Sequence, residues 1–197
     1  VNMITFPAPY YLDVNNDGNK DLVVAPCISG PSENYNNILY YQNTTNNTTN
    51  VFNYQKNRLL SDECIEVGSG TNVVLFDVDG DGLTDILAGN YGYFNPTPPF
   101  NSGISFYKNT GTPNAPSFQL ITQDFASTSQ LGIPGISPAF GDIDSDGDAD
   151  LLVGNSDGTL SLFANSGSGY ALTQAQVVSN TGTIIDVGQF STPQLFD

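Results

Sequence analysis

The sequence predicts an all-β chain assembled from repeated four-stranded antiparallel sheets, and three observations point there. An acidic stretch of fixed spacing occurs three times, its copies 64 and then 65 residues apart. Strand-like segments separated by turn residues follow each copy. The composition is rich in Gly (20), Pro (12), Phe (12) and Tyr (10), only 12% of residues are charged, and no long Glu/Lys/Ala-rich window with a helical period interrupts it.

The acidic stretches are DVNNDGNKDLVVA from Asp13, DVDGDGLTDILAG from Asp77 and DIDSDGDADLLVG from Asp142. Each runs straight into an apolar strand. A further strand-like segment ending in Asn comes next: ILYYQN (38–43), ISFYKN (104–109) and LSLFAN (160–165). Polar turns follow, TTNNTTN, TGTPNAP and SGSG, and then short aromatic-containing runs, VFNY, SFQL and YAL. Each unit therefore reads as strand, acidic loop, strand, turn, strand, turn, strand. Residues 186–197, DVGQFSTPQLFD, match 66–77, EVGSGTNVVLFD, in spacing. The expected units are about 1–65, 66–130 and 131–185, with 186–197 opening a fourth, and the chain is expected to be a segment of a longer protein. A repeat of about 55–65 residues with four short strands has the size of a β-propeller blade. Three blades leave open edges, which further blades or a partner chain are expected to cover.

Lys and Arg total 4 against 20 Asp and Glu, a formal charge of −16 with no histidine. Nucleic acid and anionic membrane surfaces are repelled by such a chain. No apolar run is long enough to span a bilayer, and the opening VNMITFPAPYYLD lacks the basic start and apolar core of an export signal. Seventeen of the acids are Asp, and twelve of those lie in the three acidic stretches, so the acidity is local chemistry. Cys27 and Cys64 are compatible with one disulfide in an oxidising compartment or with two unpaired buried thiols.

Counted from the leading Asp, each loop offers side-chain oxygens at positions 1, 3, 5 and 9. The sets are Asp13, Asn15, Asp17 and Asp21; Asp77, Asp79, Asp81 and Asp85; and Asp142, Asp144, Asp146 and Asp150. Position 7 (Asn19, Leu83, Asp148) varies in chemistry, which suits a ligand offered through the main-chain carbonyl. Glycine at position 6 (Gly18, Gly82, Gly147) is expected where a Cβ would obstruct a sharp turn. Hard oxygen donors without His or paired Cys select calcium, about three ions at one per repeat, over zinc or copper. The alternative is an Asx-rich turn that binds nothing. An EF-hand needs a Glu at position 12 and flanking helices, whereas Val24, Ala88 and Val153 stand there and strands follow.

The pattern D-x-[DN]-x-D-G-x-x-D-[LI] within a repeat of about 60 residues resembles the FG-GAP or VCBS repeats of calcium-binding β-propellers, which include the integrin α-subunit head. Phe140-Gly141 before Asp142, and Gly89-Asn90 and Gly154-Asn155 after the second and third loops, add to the likeness; Ala25-Pro26 departs from it. YYLDVNNDGNKDLVVAP, NYGYF, FGDIDSDGDADLLVGNSDG and DVGQFSTPQLFD also resemble long secreted repeat proteins exported by the bacterial type 9 system. The resemblance covers essentially the whole chain and implies an extracellular or cell-surface location.

The connection between second and third strands should emerge opposite the acidic loops. It is long at 26–37 and 90–103 but short at 155–158, and long loops on a rigid scaffold commonly carry binding. Tyr91, Tyr93, Phe94 and Phe100 form a candidate platform for a glycan or protein segment, or else pack over the blade edges. No Ser-His or Cys-His pair exists and the carboxylates belong to the metal loops, so no enzyme activity is expected of these residues. The expected function is a calcium-binding extracellular binding or adhesion scaffold. The alternatives are part of a secreted polysaccharide-degrading enzyme, or an export cargo or spacer held by its secretion translocon.

Overall fold

The computed structural model describes residues 7–26, 38–60, 64–93 and 101–195. Twelve strands form three separate four-stranded antiparallel meanders, each in sequence order. The first sheet holds β1 (Pro7–Leu12), β2 (Asp21–Pro26), β3 (Leu39–Asn43) and β4 (Phe52–Lys56). The second holds β5 (Asn72–Phe76), β6 (Asp85–Gly89), β7 (Ile104–Asn109) and β8 (Phe118–Thr122). The third holds β9 (Ser137–Gly141), β10 (Asp150–Gly154), β11 (Leu160–Asn165) and β12 (Tyr170–Gln174). These are β-propeller-like blades, as the sequence predicts. In all three the register slips at the same place, three residues before the Asn that ends the third strand: Tyr40/Tyr41, Phe106/Tyr107 and Leu162/Phe163.

The chain divides into two compact units, residues 1–66 and 67–197. In the first, Val23, Val24, Leu39 and Tyr40 are buried on the two central strands. In the second, Leu87, Ile104, Phe106, Ile136, Leu151, Val153 and Phe163 form one core shared by the second and third sheets. Strand β10 is buried along its whole length and β6 nearly so. Central strands covered on both faces read as continuous apolar runs, which is why DILAG and DLLVG lack a polar alternation.

A ring cluster fills the space between these sheets. Phe76 stacks on Phe140 with centroids 4.7 Å apart and planes 3° from parallel, and Phe125 contacts Phe106, Phe140 and Tyr170. Phe125 comes from a 3-10 segment, Phe125–Leu131, that the sequence did not reveal. The Thr128 hydroxyl of that segment accepts the Ile104 N–H at 3.1 Å, and Asp124 accepts the Ser129 N–H at 2.8 Å. A connection with a non-helical break at Ala126 and Ser127 is thus held by β7 and by its own entry residue.

Backbone hydrogen bonds also cross between successive repeats in this unit. The Asn90 carbonyl accepts the Ile136 N–H at 2.9 Å, and the Asn155 carbonyl accepts the Ser191 N–H at 3.0 Å. Residues 186–195 thereby meet the third sheet as the start of the third repeat meets the second. Gly89 and Gly154 lie under these crossings. A Cβ on Gly89 would stand 2.3 Å from the Ile136 carbonyl oxygen, and one on Gly154 would stand 2.1 Å from that of Ser191. Buried Asn90 is itself fixed within the second repeat, donating to the Val67 carbonyl at 2.7 Å and accepting the Gly103 N–H at 3.0 Å. Gly154→Ala is therefore expected to lower unfolding free energy by about 1–3 kcal/mol through overpacking, read as a fall in urea midpoint at unchanged slope.

Candidate metal centre

Each acidic loop is closed by a pair that sets its span: Leu12 opposite Asp21, Phe76 opposite Asp85 and Gly141 opposite Asp150. The leading carboxylate then gathers the loop's amides. Asp13 accepts the N–H groups of Asp17 at 3.1 Å and Gly18 at 2.8 Å. Asp77 accepts those of Gly80, Asp81 and Gly82 at 2.9, 3.1 and 2.8 Å, and Asp142 those of Asp146 and Gly147 at 3.2 and 3.1 Å. Position 5 accepts the N–H of position 7 in every copy: Asp17 from Asn19, Asp81 from Leu83, Asp146 from Asp148.

The glycines of position 6 have φ of 87°, 84° and 97° at Gly18, Gly82 and Gly147, and a Cβ there would meet nothing within 4 Å. This corrects the expectation from sequence. The requirement is the left-handed backbone, not space. Position 4 shares it, with φ of 64° at Asn16, 73° at Gly80 and 64° at Ser145, and the serine is the least suited of the three.

The ninth-position aspartates are buried to within 1% in all three copies. One oxygen of each accepts the N–H of position 2: Asp21 from Val14, Asp85 from Val78, Asp150 from Ile143, at 3.0–3.1 Å. The other accepts the N–H of the Asn ending the third strand: Asn43 at 2.7 Å, Asn109 at 2.8 Å and Asn165 at 2.8 Å. Those Asn side chains return a bond to the carbonyl before the aspartate, on Lys20, Thr84 and Ala149. Asn43, Asn109 and Asn165 were thus visible in the sequence as strand ends, but not as partners of the loop. In the first copy Asp21 also accepts the Tyr40 hydroxyl at 3.0 Å; burial, then this bond, pushes the phenol up to about 12.

Two clusters bring carboxylate oxygens within 4.8 Å of one another: Asp77, Asp79 and Asp85, and Asp142, Asp144 and Asp146. In the first loop the Asn15 amide donates to Asp17 at 2.8 Å. The backbone N–H of Asn19, then Asn15, holds the Asp17 carboxyl below its usual range. Leu83 N–H, then Lys108, does the same for Asp81. Asp144 goes the other way, raised by loss of surrounding water first and then by repulsion from Asp146, with Asp150 and Asp142 adding to it. Lys108 on β7 is an ion-pair partner that the sequence did not reveal. Its ammonium is hydrogen-bonded to Asp79 and lies 3.1 Å from Asp81, and these two, in that order, raise it well above an ordinary lysine.

The other candidates lie elsewhere. Tyr91 is exposed and faces the ring of Phe190 at 6.4 Å. Tyr93 is half-buried, its hydroxyl 2.6 Å from that of Ser105. Phe94, Phe100 and Cys27 lie outside the described residues. Cys64 is a free, exposed thiol, so the alternative of two buried thiols does not hold there; its sulfur is 3.8 Å from the Leu60 carbonyl.

The pattern of FG-GAP-like repeats matches residues 13–88 and again 77–153, together well over half of the chain. The chain belongs to the FG-GAP-like repeat family. No curated protein and no solved structure matches it. Both matches of the FG-GAP-like repeat begin on the leading Asp of a loop and end at the strand that follows the next one.

Two substitutions separate the parts of this loop. Asp85→Asn replaces an acceptor of two buried N–H groups with a group that can accept at only one oxygen, and is expected to cost about 1–3 kcal/mol in chemical denaturation without metal. Ser145→Gly removes a left-handed serine and is expected to raise stability by up to about 1 kcal/mol in the same measurement.

Proposed function

We propose that the three acidic loops bind calcium, one ion per repeat, and that the protein is a secreted, non-enzymatic scaffold of VCBS type that presents a binding or adhesion surface. The observation that carries this reading is the threefold repetition of one loop geometry, in which the leading carboxylate gathers the amides of its own loop, together with the approach of carboxylate oxygens to within 4.8 Å of one another in the second and third copies. The donor set fits a hard cation: oxygen only, from positions 1, 3, 5 and 9, with the position 7 carbonyls of Asn19, Leu83 and Asp148 as added ligands. The Lys108 ammonium, seated between Asp79 and Asp81, is a stand-in cation at one of these sites. Calcium would supply the positive charge that holds like-charged side chains together, and three ions would take the formal −16 to about −10.

Tyr91, exposed beside Phe190 just past the end of β6 and so opposite the acidic loop, supports a ligand surface there for a protein segment or glycan. Export by the type 9 system, with its translocon as a transient partner, rests on the sequence resemblance.

The test is thermal unfolding in about 5 mM calcium and in excess chelator. With extracellular-type affinities of roughly 0.1–1 mM, each site is expected to add about 1–2 kcal/mol, a rise of several degrees in midpoint. Replacing Asp142, Asp144 and Asp146 by Asn should remove part of that rise. An identical midpoint in calcium and chelator would refute the calcium reading.

A further inference from the structure

The residue just before the strand-ending Asn differs among the three copies: Gln42, Lys108 and Ala164. Its placement is fixed, because the N–H of the following Asn is bonded to the ninth-position aspartate in every copy. The position overlooks the loop. In the second copy Lys108 reaches Asp79 and Asp81; in the first the residue is a neutral glutamine, and in the third an alanine with no polar atom to offer a carboxylate.

Asp79 and Asp81 occupy positions 3 and 5, whose oxygens a divalent ion would need. A single ammonium bridging them uses the same lone pairs. The formal charge of the second loop, four aspartates and one lysine, is −3, whereas the third, with five aspartates and no basic partner at this position, carries −5. Charge count is one of the levers that set affinity in oxygen-ligand sites. The third loop also holds its charges against one another, with carboxylate oxygens of Asp142, Asp144 and Asp146 within 4.8 Å of each other. A cation there relieves repulsion that Lys108 already relieves in the second loop.

We propose that Lys108 is an affinity-setting residue of the second acidic loop: its ammonium holds the oxygens of Asp79 and Asp81, a divalent ion binds there only by displacing it, and the third loop, with Ala164 at the corresponding position, fills first. The inference rests on the calcium reading and makes the three sites unequal by construction. It also gives the second loop a way to keep its folded form when calcium is scarce.

The experiment is calcium titration calorimetry of the whole, chelator-stripped chain, with circular dichroism as a check on folding. Four proteins are compared: the natural sequence, Lys108→Gln, Ala164→Lys, and Asp144→Asn to mark the third site. Lys108→Gln is expected to tighten a weaker class of site about two- to fivefold, the scale of a solvent-accessible ion pair. Ala164→Lys is expected to weaken the tightest class by a similar factor, and Asp144→Asn to remove that class. Isotherms for Lys108→Gln and Ala164→Lys that superpose on the natural one would overturn the role of Lys108 while leaving calcium binding intact. Absence of any calcium heat in all four proteins would overturn both.

Discussion

A buried carboxylate shared between two strands and a loop is the interaction on which each repeat depends. Asp21, Asp85 and Asp150 begin the second strand, accept one N–H from the loop and another from the end of the third strand, and are out of contact with water. A buried charge is tolerated only when hydrogen-bonded or paired, so each aspartate requires both donors to be in place. That requirement ties the acidic loop, the second strand and the third strand into one object. The Asn that supplies the outer donor also returns a bond to the residue before the aspartate, which closes the circuit in both directions.

The loop geometry follows from this anchor. With position 9 fixed and the leading Asp one step beyond the paired end of the first strand, the chain between them must turn back within a short arc. Two left-handed residues per loop accomplish this, at positions 4 and 6. The leading carboxylate then faces the exposed amides that such a turn leaves over. The remaining acids at positions 3 and 5 have few protein donors available to them. Their mutual repulsion is the feature of the loop that the chain itself leaves least resolved, except where Lys108 intervenes in the second copy and where Asn15 replaces one acid and donates to Asp17 in the first.

Much of this was legible in the sequence. The strand, loop and turn order of each repeat emerged from three aligned copies, and ISFYKN and LSLFAN coincide with β7 and β11. What escaped was contact between residues distant along the chain. Nothing in a lone Lys at 108 announces that it meets Asp79, and nothing in Phe125 announces that it enters a ring cluster with Phe140 and Tyr170. The 3-10 segment has no helical period to betray it, since its break at Ala126 and Ser127 is stabilised from outside by β7. The position 6 glycines were found for an incomplete reason: a recurring Gly is consistent with close packing or with a positive φ, and only the backbone tells them apart. The Gly-Asn pairs after the second and third loops illustrate the opposite case, where packing is the cause.

That last seam has a consequence for how such chains grow. The groups that meet across it are main-chain carbonyls and amides above a glycine, with a single asparagine beneath. Atoms common to every amino acid set the spacing of the junction, while the shared apolar core and the Phe76–Phe140 stack fill it. A coding segment duplicated or lost in frame would bring with it, or take away, one whole interlocking face. Copy number can therefore drift under selection for length or for the surface displayed, provided each duplicated unit keeps the apolar residues that its neighbour packs against.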